Sequence, residues 1–196
     1  LLCVNAASLK KYTEIPFDDG VTGWDRIVGY ASSLPDIKKS ILLVSPDFPS
    51  SLEIPDFFTV CRKEKWNASD LFGLLLNEKE DLERIIYVYA DCPFLDLQLS
   101  MEMLENHEKY FAEYSYADGY PYGLSPEIIS AKILSTLLDL ARRNDTSLER
   151  DSIFKTIEKD INAFDIETKL SPKDFRLLRI SLSLESKRNY LISREK

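Results

Sequence analysis

The stretch ERIIYVYADCPFLD, residues 83–96, decides the fold. Ile85 to Ala90 is a β-branched and aromatic run of strand length, and it stops abruptly at Asp91-Cys92-Pro93. Proline cannot continue a central ladder, so the strand ends there. In an open α/β sheet the ligand crevice lies beyond the carboxyl ends of the strands, which puts Asp91 where chemistry would be. A carboxylate at that point suits a hard divalent cation such as Mg²⁺, which keeps several waters and takes one or two protein carboxylates. Alternatively, Asp91 accepts hydrogen bonds from the following backbone and starts the turn into the next helix. Both readings stand on this stretch alone.

The rest of the chain must supply the sheet. Its 196 residues are 44% hydrophobic and 30% charged, the proportions of one ordinary globular domain. A net charge of −8 argues against nucleic acid and anionic membrane surfaces as partners. The basic pairs Lys10-Lys11, Arg142-Arg143 and Lys187-Arg188 are too short to form a patch. Three cysteines, at 3, 61 and 92, form no Cys-x-x-Cys or Cys-x-x-x-Cys pair, so neither a disulfide framework nor a zinc or iron–sulfur cluster motif is expected in this segment. No apolar run is long enough to span a bilayer, and Leu1-Leu2-Cys3-Val4 has no preceding basic region, so a cytoplasmic location is expected.

Short apolar runs alternate with helix-period segments, which predicts an α/β three-layer sandwich with a mostly parallel mixed sheet. Strands are expected at Leu1 to Asn5, Ser40 to Ser45, Phe57 to Cys61, Ile85 to Ala90, Phe111 to Tyr116 and Phe164 to Thr168. Helices are expected at Gly23 to Leu34, at Ser69 to Leu76 with Asn67 or Ser69 as N-cap, and at Asp96 to Tyr110. Further helices are expected at Ser130 to Arg143 and Arg150 to Lys159, and Ser171-Pro172 is expected to open a last one carrying Phe175, Leu178 and Leu182 on one face. Asp118-Gly119 reads as a turn. His107, within the polar stretch Glu105 to Lys109, reads as a surface residue, and Cys92 as a packed small side chain. Tyr110, Tyr114, Tyr116, Tyr120 and Tyr122 suit either a pocket or ordinary packing.

With these motifs in order, the chain resembles the nucleotidyltransferases of the nucleotide-diphospho-sugar transferase (GT-A) fold, in particular the cytidylyltransferases of spore-coat polysaccharide and CMP-sugar synthesis. Ala90-Asp91-Cys92-Pro93-Phe94-Leu95-Asp96-Leu97 is similar to the family's Gly-Asp-Cys-Pro-Leu-Ile-Asp-Pro. Tyr120-Pro121-Tyr122-Gly123-Leu124-Ser125-Pro126-Glu127 is similar to its Tyr-Pro-x-Gly-Leu-Asp-x-Glu, and Leu170-Ser171-Pro172-Lys173-Asp174-Phe175 to its Asp-Thr-Pro-Glu-Asp-Leu box. The resemblance implies a single GT-A-type domain over 1–196, with Asp91 as metal ligand, Ser8, Lys10 and Lys11 holding a triphosphate, and Tyr120 and Glu127 contacting an acceptor. The implied partner is a nucleotide or nucleotide sugar, and the implied cofactor Mg²⁺.

The departures from the family pattern bear on activity. The family's loop after the first strand, Ala-Arg-x-x-Ser-x-Arg-Leu-Pro-Gly-Lys, is replaced by residues 6–20, which keep two lysines, lack arginine and carry Glu14, Asp18 and Asp19. These carboxylates oppose a polyphosphate. Leu170 stands where the family has its second metal-binding Asp, and Ser125 replaces another Asp. The expectation is therefore a degenerate nucleotidyltransferase-like domain kept as a binding or accessory module; the alternative is an active Mg²⁺-dependent cytidylyltransferase or nucleotide-sugar synthase serving polysaccharide or cell-surface glycan formation. The ending RLLRISLSLESKRNYLISREK, residues 176–196, is similar to the N-terminal region of spirochaete radical-SAM proteins with a SPASM domain. That resemblance implies a domain excised from a longer polypeptide, whose remainder is then a partner.

Overall fold

The computed structural model describes residues 1–78, 82–144 and 147–194. Its strands are β1 (Leu2–Ala6), β2 (Ser40–Val44), β3 (Phe58–Arg62), β4 (Arg84–Tyr89), β5 (Tyr114–Asp118), β6 (Glu127–Ser130) and β7 (Ile166–Leu170). Its helices are α1 (Gly23–Ser33), α2 (Ala68–Asn77), α3 (Leu97–Lys109), α4 (Leu134–Asn144), α5 (Ser152–Ile157) and α6 (Lys187–Arg194). The strands form one sheet in the order β3-β2-β1-β4-β6-β5-β7. Only β6 runs against its neighbours β4 and β5; the other pairings are parallel. This is the mostly parallel mixed sheet that the alternating pattern predicts.

Period-2 alternation divides the core into two layers. Leu1, Cys3, Ile41, Leu43, Ile85 and Tyr87 pack on one face against Leu71, Leu75, Leu137 and Ile153 of α2, α4 and α5. Leu2, Val4, Leu42, Val44, Ile86 and Val88 pack on the other against Trp24, Ile27, Leu99 and Met103 of α1 and α3. Strands buried on both faces read as unbroken apolar runs, which is why LLCV and SILLV were legible. Helix starts are fixed by side chains. Thr22 and Asp25 form a capping box on α1, Asn67 and Asp70 form one on α2, and Asp96 accepts from the Leu99 N–H at 2.8 Å to cap α3.

Four expectations are corrected. Phe111 does not start a strand: it adopts φ 53°, and the Ala112 N–H reaches the His107 carbonyl at 2.9 Å in a helix-ending turn, so β5 begins at Tyr114. The helix expected from Ser130 starts at Leu134, because Glu127–Ser130 pairs on both sides as β6. Ser171-Pro172 opens no long helix. Only a 3₁₀ turn, Arg176–Leu178, follows; Leu178 is exposed, Arg179 turns left-handed, and the last helix is α6. His107 is not a surface residue: it is buried, its Nδ1 lies 2.7 Å from Ser115 Oγ, and burial pulls its pKa down to about 4, with Arg84 and Lys132 adding. No helix among the described residues is long and apolar enough to cross a membrane.

Candidate functional site

The sheet reverses its winding between β1 and β4, and the segments leaving those strands, Ala7-Ser8 and Ala90-Asp91, sit side by side at the carboxyl edge. Asp91 there neither caps the turn nor stands free for a cation. Its side chain, 10% exposed, forms an ion pair with Arg150, itself 28% exposed. The guanidinium Nη2 donates to Asp91 Oδ2, Nη1 donates to the Tyr122 hydroxyl at 2.9 Å, and Nε donates to Glu185 Oε2 at 2.7 Å. The same group lies over the rings of Tyr89 and Tyr122, 5.3 and 5.1 Å from their centroids.

Local structure sets this clamp. Asp151 is left-handed at φ 59°, and its N–H donates to the Tyr89 hydroxyl at 3.1 Å, which anchors the backbone just after Arg150. The Leu184 N–H donates to the Asp91 carbonyl at 2.7 Å, bringing the neighbouring Glu185 to the guanidinium. Burial raises the Asp91 pKa and Arg150 opposes that rise; burial works against the guanidinium charge, but Asp91 and Tyr122 more than offset it, so Arg150 stays protonated. Cys92 is packed beneath, its thiol pushed well up by burial and by Asp91, which removes it as a thiolate nucleophile at neutral pH.

The residues singled out in the sequence separate into three places. Ser8 lines a small crevice of about 30 Å³ with Asn5, Asp91, Glu149 and Arg150. Lys10 and Lys11 are exposed on the following turn, with Lys11 Nζ 5.5 Å from the Tyr12 ring centroid, and they line neither this crevice nor the larger cavity. Tyr120 and Glu127 come together in that larger cavity, about 280 Å³, whose wall also includes Cys92. Tyr114, Tyr116 and Tyr122 line it too, whereas Tyr110 is exposed at the end of α3. Of the tyrosine cluster, four form the pocket. Glu127 Oε2 accepts from the Tyr114 hydroxyl at 2.5 Å; burial pushes this carboxyl up to about 7, the Tyr114 bond opposing and Asp151 adding.

A Mg²⁺ ion was implied at Asp91, and the donor set there does not fit one. Asp91 presents a single carboxylate already held by a guanidinium, Leu170 ends β7 as an exposed aliphatic side chain, and among the described residues no three His, Cys, Asp or Glu side chains gather to hold a metal. Arg150, Glu185 and Tyr89 were missed in the sequence. Arg150 lies 59 residues from Asp91 and belongs to no motif, so no local signal marks it.

This architecture is that of the cytidylyltransferases, a nucleotide-diphospho-sugar transferase-type fold. A cytidylyltransferase from Leptospira borgpetersenii superposes with a TM-score of 0.70 at 16% identity, over 96% of this chain and 81% of that one. The 4-diphosphocytidyl-2C-methyl-D-erythritol synthase of Anaerococcus prevotii gives 0.71 at 11% identity, over 99% and 93%. The Rv0371C protein of Mycobacterium tuberculosis, solved in complex with manganese, gives 0.73 at 13% identity, over 100% and 97%. Likenesses at these identities define the fold alone. In sequence, a Treponema pallidum protein described as uncharacterized is 36% identical over 63 residues, a stretch covering 32% of this chain and 29% of that protein. No family model matches the chain.

Proposed function

We propose that this cytidylyltransferase-type domain is a non-catalytic binding module in which Arg150 has taken the position a metal-bound triphosphate would need. The observation that carries this reading is the Asp91–Arg150–Glu185 cluster. A fixed cation neutralises the strand-end carboxylate, and the crevice beside Ser8 is too small for a nucleotide. Nucleotidyl transfer depends on positioning and on neutralising phosphate charge. The exposed Lys10 and Lys11, beside Glu14, Asp18 and Asp19, supply little of either. What remains open is the acceptor-side cavity of Tyr120 and Glu127, the place for a bound ligand.

A second reading, an active Mg²⁺-dependent cytidylyltransferase, draws support from the manganese complex of the M. tuberculosis protein. It requires Arg150 to leave Asp91. Titration of CTP, the other nucleoside triphosphates and nucleotide sugars, with and without Mg²⁺, on the wild type and Asp91→Asn separates the two. The module reading expects no Mg²⁺-dependent binding and no pyrophosphate release. Magnesium-dependent binding abolished by Asp91→Asn, with pyrophosphate released, would overturn it. The proposed setting is a longer radical-SAM/SPASM polypeptide, supported by the resemblance of residues 176–196. Sequencing the native transcript tests it: a downstream Cys-x-x-x-Cys-x-x-Cys site is expected, and a stop codon after Lys196 would refute it.

A further inference from the structure

The larger cavity has the wrong chemistry for a phosphate. Three carboxylates line it, Glu127, Asp118 and Asp151, against one cation, Arg176. Arg176 is already engaged: its Nη2 and Nε donate to Asp174 at 2.7 and 2.9 Å, and its Nη1 reaches Asp118 at 3.2 Å. An anion entering here would meet no free positive charge and a surplus of negative charge. The walls are aromatic, with Tyr89, Tyr116, Tyr120, Tyr122 and Phe154 contributing rings. Ring faces attract cations, and a carboxylate among them supplies a counter-charge.

Glu127 is the second, independent pointer. One of its oxygens accepts from Tyr114, while Oε1 has no donor among the described residues. A half-buried carboxylate oxygen with no protein partner leaves a hydrogen-bonding and charge requirement that a ligand meets. Tyr114 and Tyr116 of β5, Tyr87 and Tyr89 of β4, and Asp151 ahead of α5 join Glu127 in lining the cavity, and none is basic.

We propose that this cavity binds an organic cation, an alkylammonium group, with Glu127 as its counter-ion and the tyrosine faces as its walls. The assignment rests on the reading of this cavity as the ligand site and gives it a ligand class. Because Glu127 holds its proton up to about pH 7, seating a cation expels that proton. Affinity then rises about tenfold from pH 6 to pH 8.

The test uses the 196-residue chain. Tetramethylammonium, its neutral isostere tert-butanol, and inorganic phosphate are titrated in turn, followed by amide chemical shifts at Gly119 and Gly123, which line the cavity. Tetramethylammonium is expected to shift these amides, at least tenfold more tightly than tert-butanol and about tenfold more tightly at pH 8 than at pH 6. Glu127→Gln is expected to weaken it about tenfold. Equal affinity for tert-butanol, preference for phosphate, or no shift with tetramethylammonium would overturn the proposal. The isostere comparison is made on the wild type, so it decides the matter even where the variant fails to fold. Pyrophosphate release from CTP together with cation binding would sink the non-catalytic reading and leave this one standing; neither nucleotide nor cation binding would do the reverse.

Discussion

Replacing Arg150 by methionine isolates the clamp at Asp91. Methionine keeps an apolar stem against Tyr89 and Tyr122 and removes only the charge and its donors. Asp91 is then a buried carboxylate without a counter-ion, and breaking a buried pair from one side costs about 3–5 kcal/mol. Arg150 is 28% exposed and Glu185 lies on the surface, so solvent screening puts the expected loss near the lower bound, about 3 kcal/mol. In a chain of this size that corresponds to a fall in Tm of about 6–12 °C. The pH dependence follows from the sign of the shift. Burial already raises the Asp91 pKa from 3.8, and without Arg150 only the Cys92 thiol, donating to Oδ1, opposes it. A carboxyl whose folded pKa is raised destabilises the fold increasingly as pH climbs through that range, so the loss relative to wild type is larger at pH 7 than at pH 5. Asp91→Asn added to Arg150→Met removes the stranded charge and is expected to recover most of the loss. Urea unfolding followed by tryptophan fluorescence, through buried Trp24, measures each corner of the cycle. A loss under about 1 kcal/mol at pH 7, or additive single variants, would refute the clamp as the determinant of this site.

Half-buried Glu127 and buried His107 titrate in opposition. Glu127, raised from 4.5 to about 7, adds stability that is complete below about 4.5 and lost as pH rises through 7; His107, lowered from 6.5 to about 4, adds stability present above 6.5 and lost as pH falls through 4. Their slopes cancel between about pH 4.5 and 6.5, so these two groups together add no net slope there, and unfolding free energy is expected to climb by roughly 3 kcal/mol more with pH in Glu127→Gln than in the wild type, a contrast that guanidinium titrations across the range would detect or exclude. Gly123 has φ +93°, and a Cβ there would come 3.3 Å from Cys92 Sγ. Gly123→Ala is expected to lower stability by about 1–3 kcal/mol, and an unchanged urea midpoint would show that the cavity wall tolerates a side chain at this turn.

The sheet and most helices were legible because their burial is periodic. Doubly buried strands leave apolar runs, and capping pairs such as Asn67 with Asp70 mark helix starts. β6 was hidden because four residues, Glu127 to Ser130, run into a helical segment without a break, and only pairing with β4 and β5 makes them a strand. His107 carried a usable signal: it continues the Leu99, Met103 spacing of the buried face of α3, which its charged neighbours obscured. The final segment misled for the converse reason. Ser171-Pro172 is a sound helix start, but of the expected stripe only Leu182 is buried; Leu178 is 62% exposed, and a stripe so thinly packed gives a helix little tertiary support.

The site was half legible for a related physical reason. Asp91, Tyr120 and Glu127 lie in motifs whose local spacing marks a strand end and a turn, so their positions follow from short-range patterns. What Asp91 does is set by Arg150, and a contact across 59 residues leaves no local trace. A carboxylate at a strand end needs positive charge nearby, and the chain supplies it from within its own fold. A guanidinium bonded to Asp91, Glu185 and Tyr122 spends three of its five N–H donors inside the fold, and its charge is already opposed by two carboxylates. On the proposed module reading, an internal cation in place of an external one leaves a triphosphate without a charge partner, while in the tyrosine cavity beyond Cys92 one oxygen of Glu127 has no donor among the described residues.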